Sequence, residues 1–249
     1  LFSKYPNTLL SASGLDVGLP DQQVGNSEVG HMAIGSGRII NNNLVRIENS
    51  IKQNSLSKIK TISDFSKTLL KSKGSVHLMG LLSDGGVHSH INHLKGLLTI
   101  LADNGLVDVY LHAFTDGRDT DPHSGKGYLK DIECHMKNTT GKVASICGRY
   151  FSMDRDNRWE RTQKAYNLLV RGEGRQFKGH ASDAIQSAYD LGQTDEFISP
   201  IQIEPVEISD NDIGGIPAND GLVMFDTINT NNDGNNNGPI VYTTVVDGM

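Results

Sequence analysis

Arg118, Arg149 and Arg155, with His88 and Asp119, stand where short apolar runs give way to polar, glycine-rich turns. A guanidinium group is always charged and offers a fork of donors that matches a carboxylate or a phosphate. Several of them in one place repel one another, so such a group is built around an anion. His88 adds a side chain that can donate a hydrogen bond or transfer a proton. Asp119, beside Arg118, is a candidate for taking a proton from a substrate hydroxyl. Each residue also has a plainer reading. Arg155 in particular has Asp154 and Asp156 as neighbours, and an exposed pair of that kind contributes only about 0–1 kcal/mol.

Ser27 is the second centre. It follows Gly25-Asn26 and opens a helix-compatible stretch from Glu28 to Ala33. At a helix N-terminus free N–H groups stabilise an anion, which suits a serine nucleophile and a phosphate carried on it. The same position suits a plain N-cap worth about 1 kcal/mol. The residue three further on is Gly30, which gives no capping box, and the surroundings do not match the esterase pattern G-x-S-x-G. Spacing alone leaves nucleophile and cap level. The one base close in sequence is His31, and no H-E-x-x-H or comparable metal spacing is present.

These residues need a scaffold. Val76 to Leu82, Val107 to Phe114 and Val143 to Cys147 are short apolar runs that predict buried strands. Between them, Ile91, Leu94, Leu97, Leu98 and Leu101 follow helical spacing up to the stop at Asn104-Gly105, and a helix is expected near 124–137. A further helix runs from Trp159 to Gly172 or Gly174, and Leu44 to Leu70 is helical with interruptions. Strand alternating with helix predicts an α/β fold, a mainly parallel sheet flanked by helices. Each strand is followed at once by a polar motif, Ser83 to His88, Thr115 to Asp119, and Gly148 to Asp156. Ligands of parallel sheets bind outside the strands' carboxyl ends, so the three motifs point into one crevice; the alternative is three solvated turns.

The 249 residues suffice for one large domain or two small ones. A net charge of −6 argues against a nucleic-acid partner, which wants a basic face. No apolar run approaches the roughly 18 residues of a membrane span. Two cysteines, Cys134 and Cys147, are too few for a disulfide scaffold and fit a reducing cytoplasm. The chain opens on Leu1 with no basic-then-apolar leader and closes in an apolar phrase, so both ends read as cut. Residues 227–238 are asparagine-rich and predict a loop or tail.

Taken together, GLPDQQVGNSEVGHMAIGSGRI (18–39), HLMGLLSDGGVHSHINHL (77–94), HAFTDGRDTDP (112–122), GRYFSMDRDNRWERTQKAY (148–166) and TDEFISP (194–200) resemble the cofactor-independent (2,3-bisphosphoglycerate-independent) phosphoglycerate mutases. The resemblance covers about residues 5–200. It implies a metal-dependent isomerase of glycolysis and gluconeogenesis, a monomer that interconverts 3-phosphoglycerate and 2-phosphoglycerate through a phosphoserine. It also implies an alkaline-phosphatase-like domain holding two manganese ions, with a phosphotransferase domain inserted in it.

Carried onto this chain, Ser27 matches the nucleophile, which also ligates a manganese. His88, Arg118, Asp119, Arg149 and Arg155 match the substrate-binding positions, and Asn41 to Asn43 the first linker. The division this implies is a phosphatase-like strip at 1–42, the inserted domain at 43–228 and an asparagine-rich tail at 229–249. The family's early aspartate ligand and its downstream Asp/His ligands have no counterpart here, nor does the arginine-containing phrase expected near Met224-Phe225-Asp226. The piece is therefore expected to be an incomplete and inactive chain whose Leu9, Leu10, Val17 and Ile34 are poorly covered. The alternatives are a non-catalytic anion-binding module, or another phosphomutase or phosphatase of the alkaline phosphatase superfamily.

Overall fold

Strands β1 (Val76–Leu81), β2 (Val109–Thr115) and β3 (Lys142–Gly148) lie side by side and parallel, joined by crossover helices α4 (Ile91–Asp103) and α5 (Gly125–Asn138). The computed structural model describes residues 2–21, 23–206 and 208, and the backbone of residues 213–218, 221–228 and 240–245. Those last three segments are β6 (Ile213–Ala218), β7 (Gly221–Ile228) and β8 (Ile240–Val245). With β4 (Arg175–Gln176) and β5 (Ile201–Gln202) they complete an eight-stranded sheet of order β4-β5-β3-β2-β1-β6-β7-β8. The central four strands β3-β2-β1-β6 are parallel, as the strand–helix alternation requires. The β3–β5, β6–β7 and β7–β8 pairs are antiparallel, which the sequence reading did not foresee. The asparagine-rich segment 229–239 lies outside the described residues.

Alternation along each strand sends successive side chains to opposite faces. One face presents Leu78, Leu111 and Ile146, buried against Leu98 and Leu101 of α4, Leu129 and Ile132 of α5, and Ile185 of α8 (Ala181–Asp190). Ile62 and Leu69 of α3 (Lys60–Ser72) join this core. Burying a Leu or Ile side chain stabilises by about 1.5–3 kcal/mol, so this layer fixes the strand ends in space. On the opposite face Phe114 and Cys147 pack under the short helix α6 (Arg149–Ser152) and under α7 (Trp159–Arg171), through Phe151, Ala165 and Leu168.

The stretch expected to be one interrupted helix divides into α2 (Asn43–Lys52), a 3-10 turn at Leu56–Lys58, and α3. Asn42, placed in the expected linker, is the N-cap of α2 and accepts from the Val45 amide at 3.0 Å. Residues 2–42 add the helix α1 (Ser27–Ser36) and a small cluster of Val17, Leu19 and Val29. Leu9, Leu10 and Ile34 are exposed as expected, whereas Val17 is buried. Among the described residues no helix is long and apolar enough to cross a membrane.

Candidate active site

The three turns do meet. A cleft of about 310 Å³ at the carboxyl ends of the strands is lined by His88, Arg118, Asp119, Arg149 and Arg155, with Tyr150, Asp154, Arg161 and Glu196. Asp116, wholly buried, organises the turns that carry these residues. Just past β2, Asp116 Oδ1 accepts from the Arg118 amide at 3.2 Å and the Asp119 amide at 3.0 Å, which folds the turn around its own carboxylate. Its Oδ2 takes the Ser83 hydroxyl of the first turn at 2.7 Å, and Oδ1 takes Arg149 Nη1 at 2.7 Å. One carboxylate thus ties together the ends of β1, β2 and β3. Burial alone would raise its pKa. The Asp119 amide, Ser83, Arg149 and the Arg118 amide outweigh burial and hold it below the ordinary carboxylate value.

Arg149 shares the same nitrogen with Asp119 Oδ2 at 2.6 Å. Burial works against its charge, yet the bonds to Asp119 and Asp116 raise its pKa further. Asp119 also faces His88, with Nε2 3.8 Å from Oδ2, a pair that is ionic only when the ring is protonated. Arg118 is more than half exposed and stands 3.8 Å through Nε from Glu196 Oε1. Arg155 is exposed on the cleft, and among the described residues no ion pair engages it. Asp154, its supposed partner, is held instead by Arg161 Nη1 at 3.2 Å.

The fourth wall comes from residues 195–198. Gly117 adopts φ +71°, where only glycine is unstrained. A Cβ there would stand 2.7 Å from the Glu196 amide, and one on Gly148 would stand 2.3 Å from the Glu196 carbonyl oxygen. Both glycines let this turn lie flat on the ends of β2 and β3. Asp195, wholly buried, accepts the Gly125 amide at 2.7 Å and the Tyr189 hydroxyl, while its carbonyl takes the Thr115 hydroxyl at 2.6 Å. Sequence reasoning missed Asp116 as the hub, Arg161 and Glu196 as lining, and Asp154 as a buried anchor. All four lie inside the quoted motifs; Arg161 sits in the first turn of a helix, where position alone does not mark it as lining a cleft after a strand.

Ser27 does not line this cleft. It is the first residue of α1, exposed, and the N-cap is Asn26, whose side chain accepts from the Val29 amide at 3.1 Å. The capping alternative for Ser27 is thereby corrected. His31 Nδ1 lies 2.6 Å from the Ser27 carbonyl oxygen and 3.2 Å from its Oγ. A carbonyl oxygen can only accept, so Nδ1 carries the hydrogen and cannot take the serine's proton in this arrangement. Among the described residues no group of three or more His, Cys, Asp or Glu side chains could hold a metal ion. Ser27 and its described neighbours do not by themselves make the two-metal centre that the resemblance implies.

Residues 47–227 match the family model described as the BPG-independent PGAM N-terminus. The chain is 49% identical over 223 residues to the 2,3-bisphosphoglycerate-independent phosphoglycerate mutase of Clostridioides difficile, covering 89% of this chain and 42% of that protein. The protein of the same name from Prochlorococcus marinus is 49% identical over 226 residues, covering 90% and 40%. Among solved structures, Leishmania mexicana phosphoglycerate mutase at low cobalt concentration superposes with a TM-score of 0.73 at 30% identity, covering 84% of this chain and 41% of that one. The chain spans about two-fifths of the length of the curated relatives it matches.

Proposed function

The chain belongs to the BPG-independent phosphoglycerate mutase family, and from that premise we propose that its cleft holds the glycerate part of 2- and 3-phosphoglycerate during their interconversion by the whole enzyme. The observation that carries this is the convergence of His88, Arg118, Arg149 and Arg155, from three successive strand ends, on one small cleft. Arg118 and Arg155 grip the substrate's anionic groups. Arg149, neutralised by Asp116 and Asp119, is a rigid post that keeps Asp119 turned inward. Asp119 receives the proton of the attacking hydroxyl, and His88 beside it can carry that proton onward. The reading includes the glycolytic role, the phosphoserine at Ser27 and two manganese ions in the whole enzyme, with 1–42 and 43–228 as parts of two domains. A monomer is part of it too.

For the 249-residue chain itself we propose binding without turnover, because Ser27 stands outside the cleft and its neighbour His31 points Nδ1 at the Ser27 carbonyl oxygen rather than serving as a base. The test is an assay of the chain with manganese and 3-phosphoglycerate, beside isothermal titration with the same ligand. Binding with no 2-phosphoglycerate above blank supports the reading. Absence of binding defeats the assignment of the cleft, and clear turnover defeats the separation of binding from chemistry.

A further inference from the structure

Arg155 is exposed, yet the loop that bears it is not loose. Residues 153–158 connect α6 to α7, and Asp154 sits beneath them with its side chain only 2% exposed. Its Oδ2 accepts from the Asp156 amide at 3.1 Å and the Arg158 amide at 2.9 Å, closing the loop on itself. Asn157 accepts the left-handed backbone that this closure demands, φ +59°, at the least cost of any non-glycine residue. Asp154 Oδ1 takes Arg161 Nη1 at 3.2 Å, and the Arg161 guanidinium lies 3.8 Å above the Tyr150 ring. Tyr150 in turn packs on Phe151 and Phe197 at 5.1 and 5.0 Å between ring centroids. An aromatic face and a carboxylate hold Arg161 from two sides, and Arg161 and two amides hold Asp154 from three.

We infer that Asp154 is a positioning residue, which fixes the loop so that Arg155 faces the cleft before any ligand arrives. The inference rests on the reading of the cleft as an anion site. The chemistry supports it. A flexible arginine loses side-chain and loop freedom on binding, and a pre-set loop avoids that loss. Asp154 itself borders the cleft but is of the wrong sign to grip an anion, and its two oxygens are already committed to Arg161 and the loop amides.

The experiment uses the 249-residue chain and two readouts. The first needs no ligand: the rate of tryptic cleavage after Arg155 and Arg158, followed by mass spectrometry. Asp154→Asn should speed both cuts by about tenfold, the equivalent of one charge-assisted hydrogen bond. The second is a double-mutant cycle in 3-phosphoglycerate affinity. Asp154→Asn should weaken binding by about tenfold in the native background and have no further effect on top of Arg155→Ala. Unchanged cleavage overturns the inference, as does a loss of equal size in the Arg155→Ala background. If the native chain binds no 3-phosphoglycerate, the cleft reading fails, while the cleavage rates still decide the loop's anchoring. Should Asp154→Asn unfold the chain, Arg161→Met keeps an apolar stem over the Tyr150 ring and removes the charged partner of Asp154. Faster cleavage after Arg155 is then the expected result, and an unchanged rate overturns the claim.

Discussion

Arg149 Nη1 stands 2.7 Å from Asp116 Oδ1, a pair with side chains only 9% and 1% exposed that fastens the end of β3 to the turn after β2. Removing one partner from a buried, hydrogen-bonded pair costs about 3–5 kcal/mol. Arg149 would keep Asp119, so Asp116→Ala should fall at the low end, about 3 kcal/mol in chemical denaturation. The depressed Asp116 value also has a sign. Its share of stability is complete above the ordinary aspartate range and is lost as pH falls through the lowered native value. Asp116→Asn should remove that portion of the acid dependence. An unaltered pH–stability curve would count against the network.

Arg118 makes the opposite case. Its side chain is 58% exposed and its ion pair with Glu196 is long at 3.8 Å. Such a contact contributes about 0–1 kcal/mol, so Arg118→Ala should leave the melting temperature within a few degrees. Binding of 3-phosphoglycerate should weaken tenfold or more, as expected for loss of a charged donor. A large drop in melting temperature would make the residue structural.

A third prediction concerns acid. His77, His112 and Ser145 form a buried chain across β1, β2 and β3, with His77 Nδ1 3.0 Å from His112 Nε2 and His112 Nδ1 2.8 Å from Ser145 Oγ. Burial, and then the charge of His77, lower the His112 pKa to about 3. Burial, aided by His90 and opposed by Glu48, lowers His93 to about 4. The unfolded chain takes up these protons from about pH 6.5 downward while the folded chain does not. Stability should therefore fall with pH below 6.5, by about 1.4 kcal/mol per pH unit for each histidine. His112→Gln should reduce that slope by one proton in urea denaturation at pH 5, and an unchanged slope would contradict it.

The wall formed by residues 195–198 yields a fourth. Gly148→Ala places a Cβ against the Glu196 carbonyl, where 2.3 Å must open to an ordinary contact. Overpacking of this kind costs about 1–3 kcal/mol. The displaced turn should weaken 3-phosphoglycerate binding in the same variant, read by calorimetry. Native affinity in a destabilised protein would mean that Glu196 has no part in the site.

The sequence made the middle of this fold legible because its signals are local. The apolar run at Val76, the leucine spacing of α4 and the run at Val143 give β1, α4 and β3 to within a residue or two. β4 and β5 have two residues each, too short for a pattern to register, and the place of β6 beside β1 is a long-range pairing that no local window contains. The site followed the same division. Arginines directly after strands were readable from position alone. Arg161 was not, because its role depends on a tyrosine ring eleven residues earlier. Asp116 and Asp119 share one turn, and residue type alone does not tell which of the two carboxylates the fold buries.

Trp159, the only tryptophan, is exposed at the start of α7, next to the Arg155 loop. Its fluorescence during titration of 3-phosphoglycerate into the 249-residue chain tests the central claim most directly. A saturable change, displaced by 2-phosphoglycerate and lost in both Arg118→Ala and Arg155→Ala, is the predicted result. No saturable change, or one indifferent to both substitutions, would contradict it.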